Sequence, residues 1–300
     1  MIDVKGLRFR YSPDTNPVLR GISLTIPTGN SVGIVGSNGS GKSTLARHLN
    51  GLIHPQEGDV TVDGMSVKDF NLIPLIRQSV GMVFQNPDNQ IVATIVEDDV
   101  AFGPENLGLT RDEITERVEW ALEVTHMSEY RHRSPATLSG GQRQRLAIAS
   151  VLAMKPAHIV FDEPTSMLDP NGRDEVLAVM DSLRDELNIS IIHITHHLEE
   201  LFHLDTVVAL DSGELVFMGT PLEFFKDSAL LKKLRIRKPA ILTVTDKLKQ
   251  AGFLSSDFIP RTASCLVNAL TNNVPSKATA SNATPSKVIE SNVTAFKDGN

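Results

Sequence analysis

The octapeptide Gly36-Ser37-Asn38-Gly39-Ser40-Gly41-Lys42-Ser43 constrains this chain more than any other feature. It lies between an apolar run ending at Val35 and the helical stretch Thr44-Leu45-Ala46-Arg47-His48-Leu49. Its spacing fits G-x-x-x-x-G-K-[ST], with the strand before and the helix after that the pattern requires. Glycines let the backbone curl so that successive N–H groups point into one anion-sized hollow, and the following helix adds the positive end of its dipole. The guest this implies is a polyphosphate, with Lys42 reaching the β- and γ-phosphates and the Ser43 hydroxyl offered to Mg²⁺. The bland alternative is a glycine turn that only joins a strand to a helix, and the two matching flanks argue against it.

The rest of the chain supplies the setting such a loop needs. Ser31 to Val35, Val80 to Phe84, His158 to Phe161 and Ser190 to Ile194 read as short buried strands alternating with helical stretches, which is the α/β pattern. Asp162 and Glu163 follow the strand ending at Phe161, and acids at the carboxyl end of a parallel strand lie beside a phosphate loop in an open sheet. Asp162 is then a candidate for the Mg²⁺ shell and Glu163 for accepting a proton from an attacking water. Alone, an apolar run ending in Asp-Glu is an ordinary acidic turn; the upstream loop gives it meaning.

From about Thr94 to His132 no strand pattern recurs. Arg111 to His126 places Ile114, Val118, Ala121, Leu122 and Thr125 on one helical face, so the region reads as a helical insert. Further on, Ser139 is a candidate N-cap, Gly140-Gly141 expose backbone donors, and Gln142 to Met154 is helical, so a second helix end faces anions. One triphosphate needs only one such loop, which leaves the second to be explained.

With Leu138-Ser139-Gly140-Gly141-Gln142 the chain resembles the ATP-binding cassette (ABC) ATPases. The resemblance spans Phe9 to about Gly219 and takes in Tyr11, the glycine loop, Gln85 after a strand, Asp162-Glu163, Ser166-Met167-Leu168-Asp169 and His196 after another strand. It implies a P-loop NTPase fold with a RecA-like core, an antiparallel β subdomain and a helical subdomain, with ATP and Mg²⁺ as cofactors. It also implies residue roles. Gly36, Ser37, Asn38, Gly39, Ser40, Gly41, Lys42, Ser43 and Thr44 would hold the phosphates, and Tyr11 would stack on adenine. Gln85 would sense Mg²⁺ and the attacking water, and His196 would contact the γ-phosphate. Two subunits would pair head to tail, so that Ser139, Gly140, Gly141, Gln142 and Asp169 of each cover the nucleotide on the other. Read singly, Tyr11 is a strand-end aromatic, Gln85 a surface polar group and His196 one of three histidines between Ile192 and His197.

The stretch Phe84-Gln85-Asn86-Pro87-Asp88-Asn89-Gln90, then Thr94 and Glu97 to Asn106, looks like the A components of energy-coupling-factor importers of vitamins and cobalt or nickel ions. That implies a second cassette subunit, a transmembrane coupling subunit and a substrate-binding membrane subunit as partners, at the cytoplasmic face of the membrane. The acids Glu97, Asp98 and Asp99 then offer charge to a partner helix, or form only a solvated acidic helix start. Pro164 and His197 depart from the subgroup, which often has serine and an acid there.

Composition narrows the partners. The net charge is −7, so no basic excess recruits nucleic acid, and Cys265 is the only cysteine, as suits a reducing cytosol. No apolar run approaches the roughly 18 residues that cross a bilayer, and an acid at Asp3 breaks any signal-peptide pattern, so contact with a membrane is expected to be peripheral. The rival readings are a cassette ATPase acting on DNA or ribosomes, and a module that binds ATP without hydrolysing it. The first lacks the expected coiled-coil insert, and the second is opposed by Lys42, Asp162, Glu163 and His196 occurring together.

The expected organisation is an ATPase domain over 1–235 with its helical subdomain at about 94–150, then an extension over 236–271. Within the extension Ala240 to Gly252 reads as a helix ending at a glycine cap. From Asn272, Ser276-Lys277 with Ser281-Asn282-Ala283-Thr284 recurs as Ser286-Lys287 with Ser291-Asn292-Val293-Thr294, a low-complexity tail expected to be disordered.

Overall fold

The computed structural model describes residues 1–255, 258 and 263–272. The chain divides into two units, Met1–Lys238 and Pro239–Asn300. The first runs β1 (Ile2–Phe9), β2 (Leu19–Ile26), β3 (Ser31–Gly36), α1 (Lys42–Leu49), β4 (Glu57–Val62), β5 (Met65–Ser66), α2 (Ile73–Ser79) and β6 (Val80–Val83). It continues through α3 (Val96–Asn106), α4 (Arg111–Val124), α5 (Gly140–Leu152), β7 (His158–Asp162), α6 (Pro170–Asp185), β8 (Ser190–Ile194), β9 (Thr206–Asp211), β10 (Glu214–Gly219), α7 (Pro221–Lys226) and α8 (Ser228–Lys233).

Two sheets result. The larger has the order β10-β9-β3-β8-β7-β6, with β3, β6, β7, β8 and β9 parallel and β10 antiparallel at one edge. Ser31 to Val35 and the whole of β7 and β8 are buried. Central parallel strands are covered on both faces, which is why these segments read as unbroken apolar runs rather than alternating ones. The second sheet, β2-β1-β4-β5, is antiparallel. Its strand β2 buries Leu19, Ile22, Leu24 and Ile26 and exposes most positions between them. One apolar cluster joins the two sheets through Leu45 and Leu49 of α1, with Ile2, Leu7, Val60, Ile192 and Ile194.

No strand interrupts the chain between Val83 and His158. Helix α4 starts at a reciprocal capping box, Thr110 with Glu113, and buries Val118, Ala121 and Leu122, the face expected from the spacing. These pack with Val96 and Val100 of α3 and with Leu146 and Ala149 of α5 in a second cluster. The acidic stretch departs from the expectation that its charges are outward. Asp99 is buried, its Oδ1 accepting from the amides of Val92 (2.7 Å) and Ala93 (3.0 Å) and its Oδ2 from the Ser150 hydroxyl (2.8 Å). Glu97 pairs with Arg131 and His132, so two of the three acids are used within the protein. The physical reason is helical spacing, because Asp99 shares a face with Val96 and Val100 and follows them inward.

In the second unit α9 (Ala240–Gln250) is followed by Gly252 at φ 79°, the left-handed position of a glycine-terminated helix. Helix α10 (Ala263–Asn272) comes next. The repeat-bearing segment 273–300 lies outside the described residues. Among the described residues no helix is long and apolar enough to cross a membrane.

Candidate functional site

The order β3-β8-β7-β6 brings four loops to one edge of the sheet, because parallel neighbours end on the same side. The glycine loop leaves β3, the His196 segment leaves β8, Asp162-Glu163 end β7, and Gln85 follows β6.

The loop itself is shaped by contacts that exclude side chains. A Cβ at Gly36 would lie 2.2 Å from the Leu210 carbonyl oxygen, and Gly41 caps α1 at φ 103°. Ser37, Asn38 and Gly39 form an exposed tip, while Ser40, Gly41, Lys42 and Thr44 are buried. The Lys42 ammonium folds back onto the carbonyls of Gly36 (2.9 Å) and Ser37 (3.2 Å). Burial lowers its pKa, and the nearby Glu163 and Asp162 carboxylates oppose that shift.

The Ser43 hydroxyl donates to Asp162 Oδ1 at 2.9 Å. Burial raises the Asp162 pKa, partly offset by this bond, with Glu163 adding a further upward push. A cation arriving here would relieve that strain on the carboxylate. A hydroxyl and a carboxylate in contact are the hard oxygen donors that small divalent cations take.

Glu163 is the meeting point. It sits at φ 54°, a left-handed conformation unusual for a non-glycine residue, with its amide donating to Ile194 O at 3.0 Å. Its Oε2 is 3.2 Å from His196 Nδ1 and 3.5 Å from Gln85 Nε2. Gln85 also donates to the Ser166 hydroxyl at 3.0 Å, which in turn donates to the Glu163 carbonyl at 3.0 Å. Tyr11 stands at the rim, 57% exposed, with its hydroxyl 3.1 Å from Thr44 Oγ1 and its ring edge-on to Phe9.

The second helix end is built separately. Ser139 N-caps α5: its Oγ accepts from the Gln142 amide at 3.2 Å, and Gln142 Oε1 accepts from the Ser139 amide at 2.8 Å. Asp169 N-caps α6 by accepting from the Gly172 amide at 2.8 Å, and it is exposed. These bonds of Ser139, Gln142 and Asp169 stay within the two caps. Gly141 and Gly172 approach backbone to backbone, so a Cβ on Gly141 would meet Gly172 Cα at 3.0 Å.

Two groups were missed in the sequence. Gln144 Nε2 donates to the Phe84 carbonyl (3.2 Å), and Gln90 bridges the Phe84 amide (3.3 Å) and the Ala147 carbonyl (2.8 Å), so the Gln85 segment is tied to α5. Glu200, 3% exposed, accepts from Thr165, His193, Thr195 and Arg173. Only an acid directly followed by the apolar pair Leu201-Phe202 hinted that Glu200 turns inward.

A sequence profile described as "ABC transporter" matches residues 19–166. The energy-coupling factor transporter ATP-binding protein EcfA1 of Clostridium novyi (strain NT) is 47% identical over 274 residues, covering 90% of this chain and 97% of that protein. The protein of the same description from Caldanaerobacter subterraneus subsp. tengcongensis is 48% identical over 263 residues, covering 86% and 95%. Among solved structures, cbiO1 of Clostridium perfringens, part of the ABC transporter complex cbiONQ, superposes with a TM-score of 0.71 at 36% identity over 82% of this chain and 98% of that one. The ATP-binding cassette MJ0796, solved as a dimer in a post-hydrolysis state with ADP and Pi, gives 0.66 at 27% identity over 74% and 99%.

Proposed function

The chain belongs to the ABC transporter ATPase family, and from that premise we propose that it is an A component of an energy-coupling-factor importer for a vitamin or a transition-metal ion such as cobalt or nickel. It binds and hydrolyses ATP to energise a transporter. The importer type is supported by the relatives named as energy-coupling factor ATP-binding proteins and by the likeness to cbiO1.

The observation that carries the reading is the convergence of Gln85 and His196 on Glu163, beside the Ser43–Asp162 pair and the glycine loop. Little covalent chemistry is required of a protein in phosphoryl transfer, so positioned donors and charge do the work. Lys42 and the loop amides hold the β- and γ-phosphates. Ser43, Asp162 and Gln85 hold Mg²⁺, which when bound neutralises charge on the phosphate oxygens. Glu163 accepts a proton from the attacking water, Gln85 orients that water, and His196 contacts the γ-phosphate. Tyr11 stacks on adenine.

The two caps at Ser139 and Asp169 belong to the nucleotide on a partner protomer, the same chain or a related one. ATP closes that dimer, and closure is passed through the tie between the Gln85 segment and α5 to a transmembrane coupling subunit, with a separate membrane subunit choosing the solute. The protein is thereby held peripherally at the cytoplasmic face. The test is purification of the tagged full chain from membranes in detergent with ATP and Mg²⁺. Small multi-spanning membrane proteins should come with it in fixed stoichiometry, whereas recovery with ribosomes or DNA instead would overturn the importer reading.

A further inference from the structure

Glu200 lies in the turn after β8, and its side chain is 1% exposed. Both oxygens are fully used. Oε1 accepts from the Thr165 hydroxyl and from Arg173 Nε, each at 2.9 Å, and Oε2 accepts from His193 Nε2 at 2.7 Å and the Thr195 hydroxyl at 2.5 Å. These donors come from four places: the loop after β7, helix α6, strand β8, and the loop after β8.

Two of the four flank the chemistry. Thr165 lies two residues after Glu163 and precedes Ser166, whose hydroxyl receives Gln85 and donates to the Glu163 carbonyl. Thr195 immediately precedes His196, and while its hydroxyl donates to Glu200 it accepts from the His197 amide at 2.9 Å, so the backbone on both sides of His196 is held. The contact between His196 and Glu163 spans these same two loops. Glu163 also keeps a left-handed backbone, a conformation that persists only where surrounding structure over-determines it.

The geometry points to Glu200 as a positioning residue for ATP hydrolysis: its buried carboxylate clamps the Thr165 and Thr195 hydroxyls together and so sets the separation of Glu163 and His196. Glu200 touches neither nucleotide nor water and acts through its two neighbours. The inference rests on the roles proposed for Glu163 and His196. An ionised carboxylate accepts in all four directions, whereas a glutamine has one acceptor oxygen, so its NH₂ faces either Arg173 or His193 together with one threonine hydroxyl, and those groups lose the acceptor they had. The clamp therefore depends on the charge as well as on the shape.

The experiment is steady-state ATP hydrolysis and equilibrium ATP binding by the full chain in the presence of Mg²⁺. Glu200→Gln should lower kcat at least tenfold while the ATP dissociation constant stays within threefold. Thr165→Val removes one donor and leaves Arg173 in place, so it supplies the same direction should Glu200→Gln not fold. Val62→Ala, in the antiparallel sheet and fully buried, should lower the melting temperature without changing kcat per folded molecule, which separates positioning from general destabilisation. Combined with His196→Ala, Glu200→Gln should add less than its separate effect, since both act on one contact. A fall in kcat below threefold, a matching loss of ATP affinity, or full multiplicativity with His196→Ala overturns the inference. If Glu163→Gln itself hydrolyses normally, the proposed base has failed instead, whatever Glu200 does.

Discussion

The Nδ1 of His196 lies 3.2 Å from Oε2 of Glu163, joining the loop that leaves β8 to the loop that leaves β7. The same carboxylate oxygen is 3.5 Å from Gln85 Nε2, which arrives from β6. One carboxylate thus has side-chain nitrogens close to it from the loops of both neighbouring strands, and Glu163 itself is held in a backbone conformation costly for a residue with a Cβ.

Glu163→Gln preserves the size of this group and removes its basicity. We expect phosphate release to fall by about 100-fold or more, the usual range for loss of a general base, while equilibrium ATP binding is retained. Near-normal turnover would remove Glu163 as the base.

Lys42 is 7% exposed and held by the carbonyls of Gly36 and Ser37, a cation waiting on weak partners inside the loop. Lys42→Ala should weaken ATP binding at least tenfold, about 1.4 kcal/mol, as read by calorimetric titration. Unchanged affinity would count against the phosphate assignment.

The separate construction of the Ser139 cap leads to a mixing experiment. Lys42→Ala spoils the loop and Ser139→Arg spoils the cap, so each should be inactive alone. Random pairing of equal amounts in a two-fold dimer should rebuild one good site in half of the dimers and return roughly a quarter of normal hydrolysis. Failure to regain activity, with dimers present by mass, would argue against a shared pocket.

Burial alone would raise the pKa of Glu200, but His193, Thr195 and Thr165 overcome it and hold the value at about 2, against 4.5 for an ordinary glutamate. A depressed carboxylate stabilises the fold above its unfolded pKa and loses that contribution as pH falls toward the folded one. The contribution, on the order of 3 kcal/mol, should therefore be complete above about pH 4.5 and fade toward pH 2. Urea unfolding of the native chain and Glu200→Gln should differ most at pH 6 and converge in acid; parallel curves would contradict the assignment.

Asp99 pins the segment before α3, accepting from two amides and from Ser150 on α5. Asp99→Ala leaves those donors without their acceptor and should cost on the order of 3 kcal/mol in urea unfolding, with little change in ATP affinity. A stability change under about 0.5 kcal/mol, the level of an ordinary surface site, would show that the carboxylate is not structural.

What was legible in the sequence is what is locally encoded. The glycine loop, the four buried strands, the α4 face and the Ser139 cap each depend on residues within a few positions of one another. Glu200 was not legible, because Leu198-Glu199-Glu200 reads as a solvated turn until α6 and β8 close over it. Asp99 reads from the sequence as facing a partner helix or solvent, although its spacing from Val96 and Val100 places it on their buried face. The β9–β10 hairpin has a local signal in Ser212-Gly213, both at positive φ (50° and 84°) between apolar runs. The pairing of Ile2 with Val62 in the antiparallel sheet had none, since sixty residues separate them.

Gly141 and Gly172 press main chain against main chain in the first turns of the helices that bear the Ser139 and Asp169 caps, so no side chain separates the two caps at that point. In the proposed head-to-tail dimer the neighbouring protomer would meet a single wedge with two prongs, and a methyl added at Gly141 would blunt both prongs together while leaving the glycine loop on its own side intact.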